Sequence, residues 1–208
     1  MVKRTRKREE LIRVGRDLIV RKGFNATGLS DILAAAAVPK GSFYYYFESK
    51  EDFGLSVMED AAKSYQQRLE ATLGNEQLLP LTRLHRYFAQ GIADMEANYC
   101  EEGCLFGNLA QEMSAQNPVF RDRLNALFLD WETRLSDCLQ AAHNSQQISF
   151  APTTELSRFI LSGWQGAMLR AKVASSPEPL YAFTQIVFEQ ILKAPMPHPS
   201  GSNKSAAS

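Results

Sequence analysis

The sequence predicts an all-α protein: a small N-terminal three-helix unit of the helix-turn-helix type, followed by a larger helical body. Three observations carry this. Apolar residues recur at spacings of three and four almost everywhere between Lys3 and Lys193, the signature of one buried helix face. Period-2 alternation of β-branched residues, the mark of half-buried strands, is almost absent. Glycine and proline fall between the periodic stretches, where helices stop and restart.

The elements follow in order. Leu11, Val14, Gly15, Leu18 and Ile19 form the stripe of a first helix, which Lys22-Gly23 ends. Leu29, Ile32, Leu33 and Ala36 share one face of a short second helix. Val38-Pro39-Lys40-Gly41 breaks the chain, and Pro39 suits the first turn of a brief third helix ending near Phe47. Ser49, with Asp52 three residues on, reads as an acidic capping box opening a fourth helix to about Leu73. Beyond Gly74-Asn75 the pattern predicts helices near 77–98, 105–117, 118–145, 153–174 and 178–193, the third of them restarted at Asn117-Pro118. The expected division is a helix-turn-helix unit over 1–50, with the motif at about 28–47, and a helical body over 51–193. A tail over 194–208, with prolines, serines and no apolar period, is expected to be disordered.

Charge is segregated along the chain. Lys and Arg total 23, as do Asp and Glu, so the formal net charge is zero. Residues 1–50 nevertheless carry 11 basic and 5 acidic side chains, and residues 51–208 carry 12 and 18. A basic N-terminal part of this kind points to nucleic acid as a partner. No apolar run is long enough to span a membrane. The basic N-terminus leads into Glu9, Glu10, Arg13, Arg16 and Asp17 instead of an apolar h-region, which predicts a cytoplasmic chain.

Two short helices about four residues apart, the second starting at a proline, have helix-turn-helix spacing. In the second, Phe43, Phe47 and Tyr46 can pack on the Leu11–Ile19 stripe and Ile32. That leaves Lys40, Ser42, Tyr44 and Tyr45 outward near the helix N-terminus, where N–H groups, a lysine and hydroxyls suit a major groove and its phosphates. The run Phe43-Tyr44-Tyr45-Tyr46-Phe47 cannot be core alone, because five consecutive residues cover more than one helical turn.

Thr27-Gly28-Leu29-Ser30-Asp31-Ile32, and Val38 through Glu51, resemble the DNA-binding domain of the tetracycline-repressor (TetR) family across about 50 residues. Three positions depart from the family pattern: Ala37 stands for the turn glycine, Tyr46 for a histidine and Pro39 for a capping serine. The resemblance implies double-stranded operator DNA as partner. It places Lys40, Gly41, Ser42 and Tyr45 at bases or adjacent backbone, and Ser30, Tyr44, Tyr46 and Lys50 at phosphates.

It also implies that the acidic body senses a ligand and forms a homodimer. Phe159, Gly163, Gly166 and Ala167, with Phe183 and Val187 on the last helix, are the expected interface, two helices from each subunit making a four-helix bundle. Tyr87, Phe88, Phe106, Phe128, Trp131, Trp164 and Met168 are the expected lining of a pocket for a small hydrophobic or electrophilic effector.

Glu102-Gly103-Cys104-Leu105-Phe106-Gly107-Asn108-Leu109-Ala110-Gln111-Glu112 resembles a segment of the subgroup that includes the N-ethylmaleimide-responsive repressors. Its cysteine is associated there with sensing electrophiles or oxidants, so the resemblance marks Cys104. Chemistry pulls both ways: a helix start favours thiolate, whereas Glu101 and Glu102 oppose it. A structural role for Cys104 stays open beside the sensing one. Cys100 and Cys104 are near enough in sequence for a bridge under oxidation, and Cys138 reads as core. His85, His143 and His198 show no metal-ligand spacing, and neither a metal nor another cofactor is expected.

The function these readings predict is a ligand- or electrophile-controlled regulator, most simply a repressor released from a palindromic operator by a small molecule. Two alternatives are a thiol-dependent helical transferase or peroxidase using Cys104, and a constitutive DNA binder without effector. No Ser/His/Asp order, His-Glu-x-x-His, phosphate loop or dinucleotide fingerprint supports an enzyme.

Overall fold

The computed structural model describes residues 2–194, with side chains from Thr5 onward; the tail expected to be disordered lies almost wholly outside the described residues. Within them every regular element is helical. Helix α1 (Val2–Lys22) ends at Gly23, whose φ of +88° is the left-handed stop that glycine adopts without a Cβ penalty. Helix α2 (Leu29–Ala35) buries Ile32 and Leu33.

The third element, Lys40–Tyr45, is a six-residue 3-10 turn and not an α-helix. Pro39 precedes it as the N-cap, with an extended ψ of 142°, so it sits one position outside the first turn expected for it. At this length the tighter i→i+3 bonds suffice, as Ser42 N–H to Pro39 O at 2.9 Å shows.

Helix α3 (Lys50–Ala71) begins with the expected capping arrangement. Ser49 Oγ accepts from Asp52 N–H at 3.1 Å, and Asp52 Oδ2 accepts from the Glu48 N–H at 2.9 Å. The helix serves both halves of the chain. Toward the N-terminus its Phe53 ring occupies the space over Gly15 of α1, where a Cβ would collide with it. Toward the body, Glu59 takes a two-pronged pair from Arg123.

The body consists of α4 (Pro80–Ala97), α5 (Leu105–Met113), α6 (Pro118–Asn144), α7 (Thr154–Ala174) and α8 (Glu178–Gln185). Helix α6 packs against α4, α5 and α7, and α7 packs along α8. Asn117 starts α6 by accepting from Val119 and Phe120 N–H groups through its side chain, with Pro118 at the first helical position. Thr153 caps α7 through Leu156 N–H in the same manner.

The last helix does not run unbroken to 193. Past Gln185 it widens into a π-helical turn, Ile186–Ile191, with Leu192 N–H reaching Val187 O at 2.8 Å. Val187, Phe188, Leu192 and Ala194 are all buried along this stretch. One continuous apolar core links the N-terminal unit to the body, from Leu11 and Phe43 to Trp164 and Phe188.

Candidate nucleic-acid interface and effector cavity

The reading turn is oriented by its aromatics. Phe43 and Phe47 are buried, with ring centroids 5.7 and 4.9 Å from Phe53. Tyr44 and Tyr45 are 71% and 59% exposed. Lys40 and Gly41 are also exposed, Ser42 is half-buried, and nothing lies within 4 Å of a Cβ placed on Gly41. Ser30 is exposed in the first turn of α2. Tyr46 is half-buried, its ring edge-on to Tyr45 at 5.1 Å.

Ala37, where the resemblance leads one to look for glycine, adopts φ +50°. The turn therefore keeps its left-handed residue and accepts a steric cost of about 1–2 kcal/mol for the alanine Cβ. Val38 N–H to Leu33 O at 2.8 Å closes the turn.

Lys50 is less free than its place in the sequence implies. Its ammonium donates to Asn25 O at 3.2 Å and lies 4.8 Å over the Phe24 ring, tying the start of α3 to the turn after α1. Lys7, which the sequence reading passed over, donates to Ala36 O at 2.8 Å and so satisfies a carbonyl at the end of α2. Spacing gives no hint of that contact, because the partners are far apart in sequence.

A cavity of about 540 Å³ opens in the body, walled by α3, α4, α5, α6 and α7 and reaching Arg16, Asp17 and Val20 of α1. Of the expected lining, Tyr87, Cys104, Phe106, Trp131, Trp164 and Met168 are there. Phe88 and Phe128 are not. Phe88 is buried behind the wall against Trp164, Phe183 and Phe188. Phe128 stands behind Trp131, edge-on at 5.3 Å.

Periodicity finds the apolar wall but misses its polar members, Tyr65, Arg68, Asp94 and Gln165. Tyr65 and Tyr87 share a hydrogen bond of 2.9 Å between their hydroxyls. Arg68 pairs with Asp94 and lies 5.0 Å over the Tyr65 ring. Burial pushes the Tyr87 hydroxyl up to about 12 and raises Tyr65 well above the usual phenol value.

Cys104 is the N-cap of α5, and its Sγ accepts from Gly107 N–H at 3.5 Å. Burial dominates its chemistry and raises the thiol pKa; the Gly107 and Phe106 amides, Gln165 and Arg68 pull the other way without overcoming it. The thiol is thus protonated at neutral pH. Glu102 does not crowd the sulfur as the sequence implies, because its carboxylate turns to Arg21 Nε at 3.0 Å. Cys100, Cys104 and Cys138 are all free thiols; Cys138 is buried and Cys100 lies outside the cavity wall. Among the described residues no cluster of His, Cys, Asp and Glu is arranged for a metal, and no helix is long and apolar enough to cross a membrane.

Comparison with known proteins now decides the family. Residues 11–56 match the model described as bacterial regulatory proteins, tetR family, and residues 80–187 match the tetracyclin repressor-like C-terminal domain. The chain belongs to the TetR family. It is 36% identical over 191 residues to the HTH-type transcriptional repressor DhaR of Mycobacterium sp. (strain GP1), covering 91% of this chain and 94% of that one. It is also 36% identical over 178 residues to the transcriptional regulator AcuR of Cereibacter sphaeroides, covering 85% and 81%. The crystal structure of reduced E. coli NemR superposes with a TM-score of 0.79 at 32% identity, covering 91% of this chain and 99% of that one.

On the outer side of α7 and α8 the residues expected at an interface separate. Phe159 is 60% exposed and Gly166 faces open space. Val187 and Ala167 are instead buried in the chain's own core, Val187 on the same face as Leu180 and Thr184. Gly163 lies beneath the Phe183 ring, whose nearest atom would stand 2.5 Å from a Cβ there, so this contact is internal. Phe183 continues inward to Trp164 at 5.9 Å. The exposed apolar stripe runs instead through Phe159, Leu169 and Val173, with Tyr181 and Ile186 beside it on the last helix.

Proposed function

We propose that this protein is a cytoplasmic, effector-controlled transcriptional repressor. It binds a palindromic operator as a homodimer and is released when a small molecule occupies the cavity. The observation that carries the reading is the junction of two features: a reading turn presenting Lys40, Tyr44 and Tyr45 to solvent, and a cavity whose wall extends to α1, the helix on which that unit is built. The names of the relatives, a repressor at 36% identity among them, support it.

The dimer brings two reading turns to half-sites one helical turn apart, roughly 34–36 Å on B-DNA. The stripe of Phe159, Leu169 and Val173 with Tyr181 and Ile186 is the self-complementary surface for it. Lys40, Gly41, Ser42 and Tyr45 meet bases or nearby backbone. Ser30, Tyr44 and Tyr46 meet phosphates, and Lys50 keeps a donor for one beyond its bond to Asn25.

The cavity defines an effector class. Aromatic walls at Phe106, Trp131 and Trp164 favour a flat, mostly apolar molecule. The two phenols use one proton between them and leave one to donate, so the guest carries a hydrogen-bond acceptor. An electrophilic guest of this shape meets Cys104, but as a thiol and not a thiolate. That protonation also disfavours thiol catalysis, and we assign the chain no reaction.

Footprinting on the intergenic DNA beside its own gene, with and without N-ethylmaleimide, tests the proposal. A protected palindrome that is lost on treatment supports it. Absence of any protected site rejects it.

A further inference from the structure

Glu112 sits at the end of α5 away from Cys104, and both of its carboxylate oxygens are engaged by another element. Oε1 accepts from Phe24 N–H at 3.0 Å and Oε2 from Asn25 N–H at 2.8 Å. These amides belong to the turn that leaves α1. The seat is close-fitting: a Cβ on Gly23 would stand 2.6 Å from Oε1, so the bare glycine lets the carboxylate in. From the other side, the same turn is held by Lys50, which bonds Asn25 O and covers the Phe24 ring.

Cys104, Asn108 and Glu112 are four residues apart, so they stack along one face of α5. Asn108 Nδ2 donates to Val20 O and to Glu102 O, both at 3.3 Å, and Glu102 accepts from Arg21. The face that begins in the cavity wall with Cys104 is therefore fastened to the last turn of α1 through Asn108 and to the turn beyond it through Glu112, while Glu102, just before α5, adds a link to Arg21. Cavity and reading unit meet along this line.

We propose that Glu112 is the positioning residue that couples the cavity to the reading unit. Its carboxylate ties the Phe24–Asn25 turn, and through Lys50 the start of α3, to the helix that begins at Cys104, so that a displacement at one end reaches the other. A guest that displaces the Cys104 end of α5 shifts this hold. The inference rests on the effector-controlled reading above and assigns its transmission to one carboxylate.

The test uses the full-length protein, duplex from its own upstream region, and N-ethylmaleimide as the probe of Cys104, followed by peptide mass spectrometry. Duplex that favours one pose of α5 over another changes how often Cys104 is presented to the reagent, so bound duplex is expected to alter its alkylation rate by about fivefold or more in wild type. Glu112→Gln is expected to keep duplex affinity within about threefold while losing most of that change, since the fold-changes of a coupling and of an affinity are separate quantities.

A second measurement needs no variant. Hydrogen exchange at the Phe24 and Asn25 amides is expected to quicken once Cys104 of the wild type is alkylated. The proposal is overturned if Glu112→Gln retains the full duplex-dependent change, or if it loses duplex binding at an unchanged melting temperature. Unaltered exchange in alkylated protein that has released the duplex overturns it too. If wild type binds duplex without any effect at Cys104, cavity control itself falls, and Glu112's role with it. If wild type binds no duplex, the regulator reading is the one that fails.

Discussion

The hydroxyl oxygens of Tyr65 and Tyr87 lie 2.9 Å apart in the cavity wall, one on α3 and the other on α4. This bond joins the helix that carries the reading unit to the helical body. Removing either hydroxyl leaves the other phenol, buried at Tyr87 and half-buried at Tyr65, short of a partner. Tyr87→Phe is expected to lower the unfolding free energy by about 0.5–1.5 kcal/mol without changing the denaturant m-value. Urea titration followed by tryptophan fluorescence reads this directly, because the chain's two tryptophans, Trp131 and Trp164, both line the cavity.

Lys40 and Tyr44 contribute little to packing: Lys40 is exposed, and Tyr44, 71% exposed, meets the core through an edge-on contact with the Phe43 ring at 5.5 Å. Lys40→Ala and Tyr44→Ala are expected to leave the melting temperature unchanged and to weaken operator binding. For Lys40→Ala the slope of log affinity against log salt falls by about one, the loss of a single cation held against the DNA. Lys63→Ala, exposed on α3 and outside both the cavity lining and the outward stripe, serves as the control and is expected to change neither quantity.

Alkaline pH should unfold the protein by way of its buried acids. Burial pushes the Cys138 thiol up to about 11 from an ordinary 9.0. The native state therefore holds this proton more tightly than the unfolded chain. The contribution is complete below pH 9 and is lost as pH rises through about 11; two units correspond to roughly 2–3 kcal/mol at most. Tyr87 extends the window toward 12. A stability profile from pH 8 to 11 is expected to fall steadily. In the same range the alkylation rate of Cys104 is expected to climb from a value below that of free cysteine, as the raised thiol begins to ionise.

The outward stripe on α7 offers a further check. Phe159 and Val173 are 60% and 70% exposed. Phe159→Glu combined with Val173→Glu places two carboxylates on each side of a self-complementary contact, four charges across the two-fold axis. Analytical ultracentrifugation is expected to show a shift from dimer to monomer, with operator binding lost in parallel. A variant that stays dimeric would move the interface elsewhere.

The helices and the reading turn were legible in the sequence because their signals are local. Apolar spacing reports one helix face at a time, and the Ser49–Asp52 cap and the Asn117-Pro118 start are written in adjacent residues. The aromatic run at 43–47 also announced its own exposure, since one helix cannot bury all of it. What the sequence concealed depends on contacts between distant segments. Phe88 and Phe128 share the composition of cavity residues, but only packing decides which ring faces inward. Val187 reads as an interface residue, but it shares the face of Leu180 and Thr184 that packs into the chain's own core. Glu112 stands in a recognisable motif, yet its partners are backbone amides at Phe24 and Asn25, and backbone amides carry no sequence signal.

Sequence-selective, salt-dependent binding to operator DNA is the claim on which the rest depends, and fluorescence anisotropy on a labelled duplex from the chain's own upstream region tests it most directly. The account predicts a dissociation constant of roughly 10⁻⁸ M or tighter at physiological salt. It also predicts at least a thousandfold preference over a scrambled duplex, and a steep fall in affinity as salt rises. Equal affinity for the scrambled duplex, or binding indifferent to salt, would contradict it.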